Sequence, residues 1–178
     1  MNPLSITPTE RINRASLRLP LNLRESVEEV FCTYLHARPI ARETDSVQEF
    51  RWGRDSLIAS VGLVGQEIVG NISLWMDDAL ATHCAALILE RTVAEVTVEA
   101  KRDMIGELSN MLAGDLKARL TEGADHCAMT LPMIMHSGAS VVIEGHHATH
   151  QHFQIFGFQD QRGTFAVSVH LSMQKPSA

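Results

Sequence analysis

No apolar run in this 178-residue sequence is long enough to span a bilayer, so nothing in it reads as a transmembrane helix. The opening stretch "MNPLSITPTERINR" holds no apolar segment of the kind a secretory leader needs. Cysteine is scarce: Cys32, Cys84 and Cys127 stand far apart and form no CxxC pair. Reduced, buried thiols in a cytoplasmic protein are the simplest expectation for such residues. Basic charge is also in deficit, with 15 Lys and Arg against 21 Asp and Glu, a net charge of −6 and a pI near 5.8. Nucleic acid and anionic membrane both select a basic surface, so neither is expected as a partner. No short-period repeat is visible, and apart from the histidines nothing is low in complexity.

What is present suits one domain with a substantial core: 45% of residues are hydrophobic and the mean hydropathy is near zero. Residues 1–20, interrupted by Pro3, Pro8 and Pro20, read as a flexible N-terminal arm. The spacing of Val27, Val30, Phe31, Tyr34 and Leu35 predicts a first helix over about 23–37, with Asn22 and Glu25 as a broad capping box. Residues 38–55 read as loop, with a short strand around "QEFRW". The Ile, Val and Leu of "SLIASVGLVGQEIVGNISLWM" predict a hairpin with strands near 56–64 and 68–76, turning at Gly65-Gln66-Glu67. Asp77 or Asp78 can cap a second helix reaching about residue 90, and a long helix follows over roughly 98–121, with Gly123 as its C-cap. Beyond it the chain turns β-rich. A strand broken by Pro132 precedes "SVVIEG", and "HQHFQIFGFQ" and "TFAVSVHLSM" form a second hairpin through "DQRG". This order implies an α+β fold of two layers, long helices on an antiparallel sheet. The domain is expected over 21–174, with 175–178 as a tail.

The stretch with the most chemistry is "DMIGELSNMLAGDL", residues 103–116. On a helical wheel Ile105, Leu108, Leu112 and Leu116 form an apolar flank, with Met104 and Met111 beside it. Asp103, Glu107, Asn110 and Gly114 fall within about 60° on the other side, and Lys117 lies close to the same line. Most charged helical stripes are solvated faces. Such a face gains from Lys, Arg and Glu pairs, however, rather than from Asn and glycine. Gly106 and Gly114 flatten the ridge, and a flat acid-amide ridge is a plausible docking surface for another protein.

These residues resemble the signature of the CheC/CheX chemotaxis phosphatases: Asp or Ser, three residues, Glu, two residues, Asn, and a proline some twenty residues later, here Pro132. The spacing to that proline departs from the usual pattern by about one residue. The hairpin "VGLVGQEIVGNISLWM" is similar to the family's strand pair, and the likeness covers roughly residues 21–173. CheC-type members carry the motif twice and CheX-type members once. The first helix, "RESVEEVFCTYL", offers no Asn at the right spacing, so the chain is closest in pattern to CheX.

The resemblance implies a homodimer whose sheet extends across the interface, and hydrolysis of the aspartyl phosphate on CheY-like receiver domains. It implies catalytic roles for Glu107 and Asn110, while the ridge itself points to Asp103, Gly106, Gly114 and Lys117 as docking residues. The chain would need no cofactor of its own, since Mg2+ belongs to the phosphorylated receiver. Acyl-phosphate hydrolysis has a loose transition state and gains most from a water held in line. An amide such as Asn110 can accept one hydrogen bond from that water and donate another at any pH. Glu107 would pair with the receiver's lysine. A non-catalytic adaptor of the same fold, docking on receivers or flagellar-switch components, is the alternative.

The histidines of "GHHATHQHF" raise a weaker possibility, a Zn2+ or Ni2+ site using His150 and His152 with His146 and His147 nearby. No cysteine completes a known spacing there, Glu144 is the one nearby acid, and a polar strand edge is the commoner reading. Met104, Met111, Met129, Met133 and Met135 read as scattered core methionines rather than a plastic binding surface, and Trp52 and Trp75 as packing residues. Neighbours on a helix point about 100° apart, so His83 and Cys84 make a poor catalytic pair.

Overall fold

The computed structural model describes residues 8–42, 55–65, 68–121, 127–137, 150–158 and 163–173. Among them run helices α1 (Pro8–Leu35), α2 (Asp78–Ile88) and α3 (Val98–Thr121). The strands are β1 (Pro39–Arg42), β2 (Ser56–Val64), β3 (Ile68–Asp77), β4 (Ala128–Met129), β5 (Met133–Ser137), β6 (His150–Phe158) and β7 (Thr164–Met173). One antiparallel sheet has the order β1-β6-β7-β3-β2, with β4 and β5 both on the outer side of β2. The α+β class and the helix-on-sheet layering follow the sequence reading. No helix among the described residues is long and apolar enough to cross a membrane.

Strand alternation decides where the core lies. Leu57, Ala59, Val61 and Leu63 of β2 point to the helices with Ile72, Leu74 and Met76 of β3 and Phe165, Val167 and Val169 of β7, all fully buried. Residues between them face the other side, where Ile58, Trp75, Ile155 and Ala166 form a second, smaller apolar row. The Trp75 indole donates to Ser168 Oγ at 3.2 Å, so this buried tryptophan is a packing residue with its polar atom satisfied.

Helix α1 buries Leu19, Leu23, Val27, Val30, Phe31 and Leu35, a run of i, i+4 and i+7 spacings. The Phe31 ring stacks on Phe165 with centroids 4.2 Å apart, which seats α1 on β6 and β7. Several expectations for this region need correction. Residues 8–20 are helical rather than an extended arm, because Pro8 takes the first helical position, where a missing N–H is harmless. Pro20 sits inside the helix on its exposed side, giving up one backbone bond that burial of the flanking Leu19 and Leu23 offsets. Asn22 and Glu25 are therefore mid-helix and cap nothing, and Tyr34, placed in the apolar set, is 47% exposed. The stretch read as loop after residue 37 contains β1, which pairs with β6 from Pro39 opposite Phe158 to Arg42 opposite Ile155.

The first hairpin is as expected, with Ser56 opposite Asp77 and Val64 opposite Val69. Asp77 caps α2, its Oδ1 accepting from the Leu80 N–H at 2.7 Å. The second hairpin pairs β6 with β7. The expected strands at "QEFRW" and "SVVIEG" and the cap at Gly123 lie outside the described residues, as do Trp52, His146 and His147.

Two histidines on this sheet are half-buried and held below the ordinary imidazole value of 6.5 by desolvation, His152 with an added push from Arg24. His152 Nε2 and His170 Nδ1 are buried without a hydrogen-bond partner among the described residues. In the unfolded chain both rings take a proton near 6.5, whereas in the folded chain they do so at lower pH. Stability is thus complete above that value and falls as pH drops below it. The urea midpoint should fall between about pH 7.5 and about pH 5.5, and His152→Gln with His170→Gln should flatten that slope. Equal slopes in wild type and the double variant would contradict this account.

Candidate functional site

Helix α3 opens at Thr97, whose Oγ1 accepts from the Ala100 N–H at 3.2 Å. Lys101 pairs with Asp78 at 2.5 Å, tying its first turn to the start of α2. The inner face buries Met104, Ile105, Leu108, Leu112, Ala113, Leu116 and Leu120. The one polar group on that face, Ser109, is fully buried and donates to the Ala59 carbonyl of β2 at 3.2 Å. At the far end Arg119 bridges Asp115 at 2.6 Å and Glu25 of α1 at 2.8 Å.

With the inner face fixed, the opposite ridge has no freedom of direction. Asp103 and Glu107 are exposed, and Asn110 and Gly114 are half-buried. Glu107 and Asn110, three apart on the helix, are surface neighbours with Cβ atoms about 5–6 Å apart. Among the described residues, no side-chain hydrogen bond or ion pair engages Asp103, Glu107 or Asn110. Within the described residues the acid and the amide thus keep their hydrogen-bonding capacity open to a partner.

The edge of the sheet runs beside this ridge in the opposite direction. Lys117 Nζ donates to the Cys127 carbonyl at 3.0 Å. A Cβ at Gly114 would stand 3.9 Å from Met129 Cε, and one at Gly106 only 3.1 Å from Ile134 Cδ1 and 3.9 Å from the Pro132 ring. Pro132 is thereby brought against α3 next to the Glu107 turn. Two docking assignments change. Gly106 is buried and its missing side chain admits the edge strand, so it flattens no outer surface. Lys117 is half-buried and tied to the chain's own backbone. Gly114 has ordinary room above it and stays on the ridge.

One feature of this edge escaped the sequence reading. On β2, Leu63 faces Met129 and Ser60 faces Met133. Two residues, Val61 and Gly62, therefore lie opposite three, Thr130, Leu131 and Pro132, so β4 and β5 are one edge strand interrupted by a one-residue bulge. Thr130 holds it in place: its N–H donates to the Gly62 carbonyl at 3.0 Å and its Oγ1 accepts from the Gly62 N–H at 2.9 Å. Proline within a strand run is the available sequence signal for such a bulge.

The histidine reading gains no support from geometry. His152 lies on the helix-facing side of β6 near Arg24, whose charge opposes a bound cation, and the side chain of His150 lies outside the described residues. Among the described residues, no group of three or more His, Cys, Asp and Glu is placed to hold a metal ion. Cys84 is fully buried, as a packing thiol should be.

The two glycines of α3 make opposite predictions. Gly106→Leu should destabilise the protein by about 1–3 kcal/mol through overpacking against Ile134. Gly114→Ala should be neutral or stabilising by up to about 1 kcal/mol, because the helix gains a better former. Urea unfolding of the two variants checks both signs, and a neutral Gly106→Leu would refute the packing role.

Comparison with known proteins places this architecture. Among solved structures the chain is similar to the chemotaxis protein CheX from Vibrio vulnificus, at 21% identity with a TM-score of 0.69, covering 94% of this chain and all of that one. It is also similar to the CheX of the CheX–CheY–BeF3–Mg2+ complex from Borrelia burgdorferi, at 16% identity and a TM-score of 0.62, covering 86% and 97%. Thermotoga maritima FliY shares the fold at 15% identity and a TM-score of 0.59, covering 93% and 92%. No match was found among curated proteins. A family model described as "Chemotaxis phosphatase CheX" matches residues 57–157, which include the first hairpin except Ser56, all of α3 and the bulged edge. The chain belongs to the CheX family of chemotaxis phosphatases.

Proposed function

We propose that this protein is a phosphatase acting on the phosphorylated aspartate of CheY-like receiver domains, with Glu107 and Asn110 as its working pair. The observation that carries the reading is that pair itself: an acid and an amide, neighbours on the outward ridge of α3, with no intramolecular partner among the described residues. Family membership supports it, and so does the likeness to a CheX solved in complex with CheY, BeF3 and Mg2+.

The chemistry follows from what an amide can do. In a loose phosphoryl-transfer transition state the attacking water needs placement more than deprotonation. Asn110 accepts one hydrogen bond from that water and leaves its N–H free for the phosphoryl oxygens, adding no negative charge to an already anionic site. Glu107, one turn away and exposed, pairs with a lysine of the receiver and fixes the helix in register. Asp103, a turn earlier, extends the acidic contact, and Gly114 lets the partner's backbone approach the helix. The divalent cation is the receiver's and supplies charge neutralisation there. The reading further includes a cytoplasmic setting and a second copy of the chain as dimer partner.

A second reading has a specific observation behind it. Thermotoga maritima FliY shares the fold, so the chain could also serve as a receiver-docking adaptor without turnover. One experiment separates the two. Asn110→Ala should lower phosphate release from a phosphorylated CheY-like receiver by about 10²-fold or more while leaving its binding within about twofold. Full activity in that variant would refute the mechanism, and a wild type that binds the phosphorylated receiver without accelerating phosphate loss would establish the adaptor.

A further inference from the structure

Leu131 is 89% exposed, the most exposed large hydrophobic side chain among those described. A single exposed leucine is ordinary, and exposure alone would carry nothing. Its position is what sets it apart. It is the middle residue of the bulge, between Thr130, which is bonded to Gly62, and Pro132, which lies against Gly106. Along α3 the edge strand meets Gly114 at Met129 and Gly106 at Ile134, so the bulge falls between them, level with Asn110. The extra residue therefore thrusts an apolar side chain outward from the edge at the height of the candidate catalytic amide. Without the bulge, two residues would face Val61 and Gly62 in regular register, and Leu131 would take an alternating place in the strand.

Resting on the reading of α3 as the receiver-docking helix, we infer that Leu131 is a hydrophobic anchor for the phosphorylated receiver. The ridge and the bulge form one continuous surface. Asp103 and Glu107 supply charge that steers and registers a cationic group, and Leu131 supplies a desolvated contact on the side of Asn110 that the sheet edge occupies. An apolar anchor beside a polar pair is what holds a docked partner long enough for the water to be placed. Because Leu131 touches no reacting atom, it acts in partner binding and positioning. The rival explanation is that the bulge merely blunts an edge strand against pairing with other chains, in which case the side chain at 131 would be indifferent.

The test uses full-length protein and those CheY-like receivers of the source organism, loaded with acetyl phosphate, that the wild type dephosphorylates. Leu131→Asp should raise KM for the phosphorylated receiver about tenfold with kcat within about twofold, and Leu131→Met should restore KM. Thermal midpoints of both variants should match wild type, since a largely exposed side chain contributes little to folding. An unchanged KM in Leu131→Asp, with Asn110→Ala inactive, would overturn the anchor and leave the phosphatase reading standing. Activity in Asn110→Ala, or a wild type that acts on no receiver, would overturn the phosphatase reading and the anchor with it.

Discussion

Burial of the inner face of α3 against β2 and β3 is the constraint on which the remaining features depend. Ile105, Leu108, Leu112 and Leu116 have nowhere else to go, and Ser109 reaches the Ala59 carbonyl from among them. A helix locked in rotation by four apolar side chains and a buried hydrogen bond presents its other side in one fixed direction. Glu107 and Asn110 point outward because their neighbours point in. Rotating the helix by a single residue would turn it about 100° and bury the acid, at a desolvation cost that nothing on that face could offset.

The same packing explains the use of the edge strand. Gly106 lets Ile134 approach α3, Lys117 holds the Cys127 carbonyl, and the strand between them breaks at a one-residue bulge. Motif and bulge are thus coupled through one helix: the glycine beside Glu107 receives the residues that carry Pro132. A proline some twenty residues from the motif makes physical sense when the intervening chain returns antiparallel along the helix that bears it.

Much of this was legible beforehand because the relevant physics is local. The strands of the first hairpin, a cap at Asp77 or Asp78 and the approximate span of α3 follow from alternation, helical periodicity and capping chemistry read directly off the residues. What escaped reading depends on distant partners. Pro20 in an exposed helical position reads as a breaker until burial of Leu19 and Leu23 overrides it. Strand β1 is four residues long and exists because β6 lies beside it. Gly106 looked like part of a cleared ridge because a helical wheel locates a residue without saying what packs on it. The register shift from Leu63 opposite Met129 to Ser60 opposite Met133 appears only once the pairing is known. The acid and the amide were found because a short motif names them, and what the fold adds is that neither is engaged by a partner among the described residues.

The central claim is that the outward ridge of α3 enters the phosphorylation pocket of a receiver domain. The most direct measurement is a crystal structure of this protein bound to a CheY-like receiver trapped as its beryllofluoride adduct. The account predicts the Glu107 carboxylate in an ion pair with a receiver lysine. It also predicts the Asn110 amide within hydrogen-bond distance, about 3 Å, of the in-line water position. A complex in which the receiver docks elsewhere and leaves Glu107 and Asn110 in solvent would contradict it.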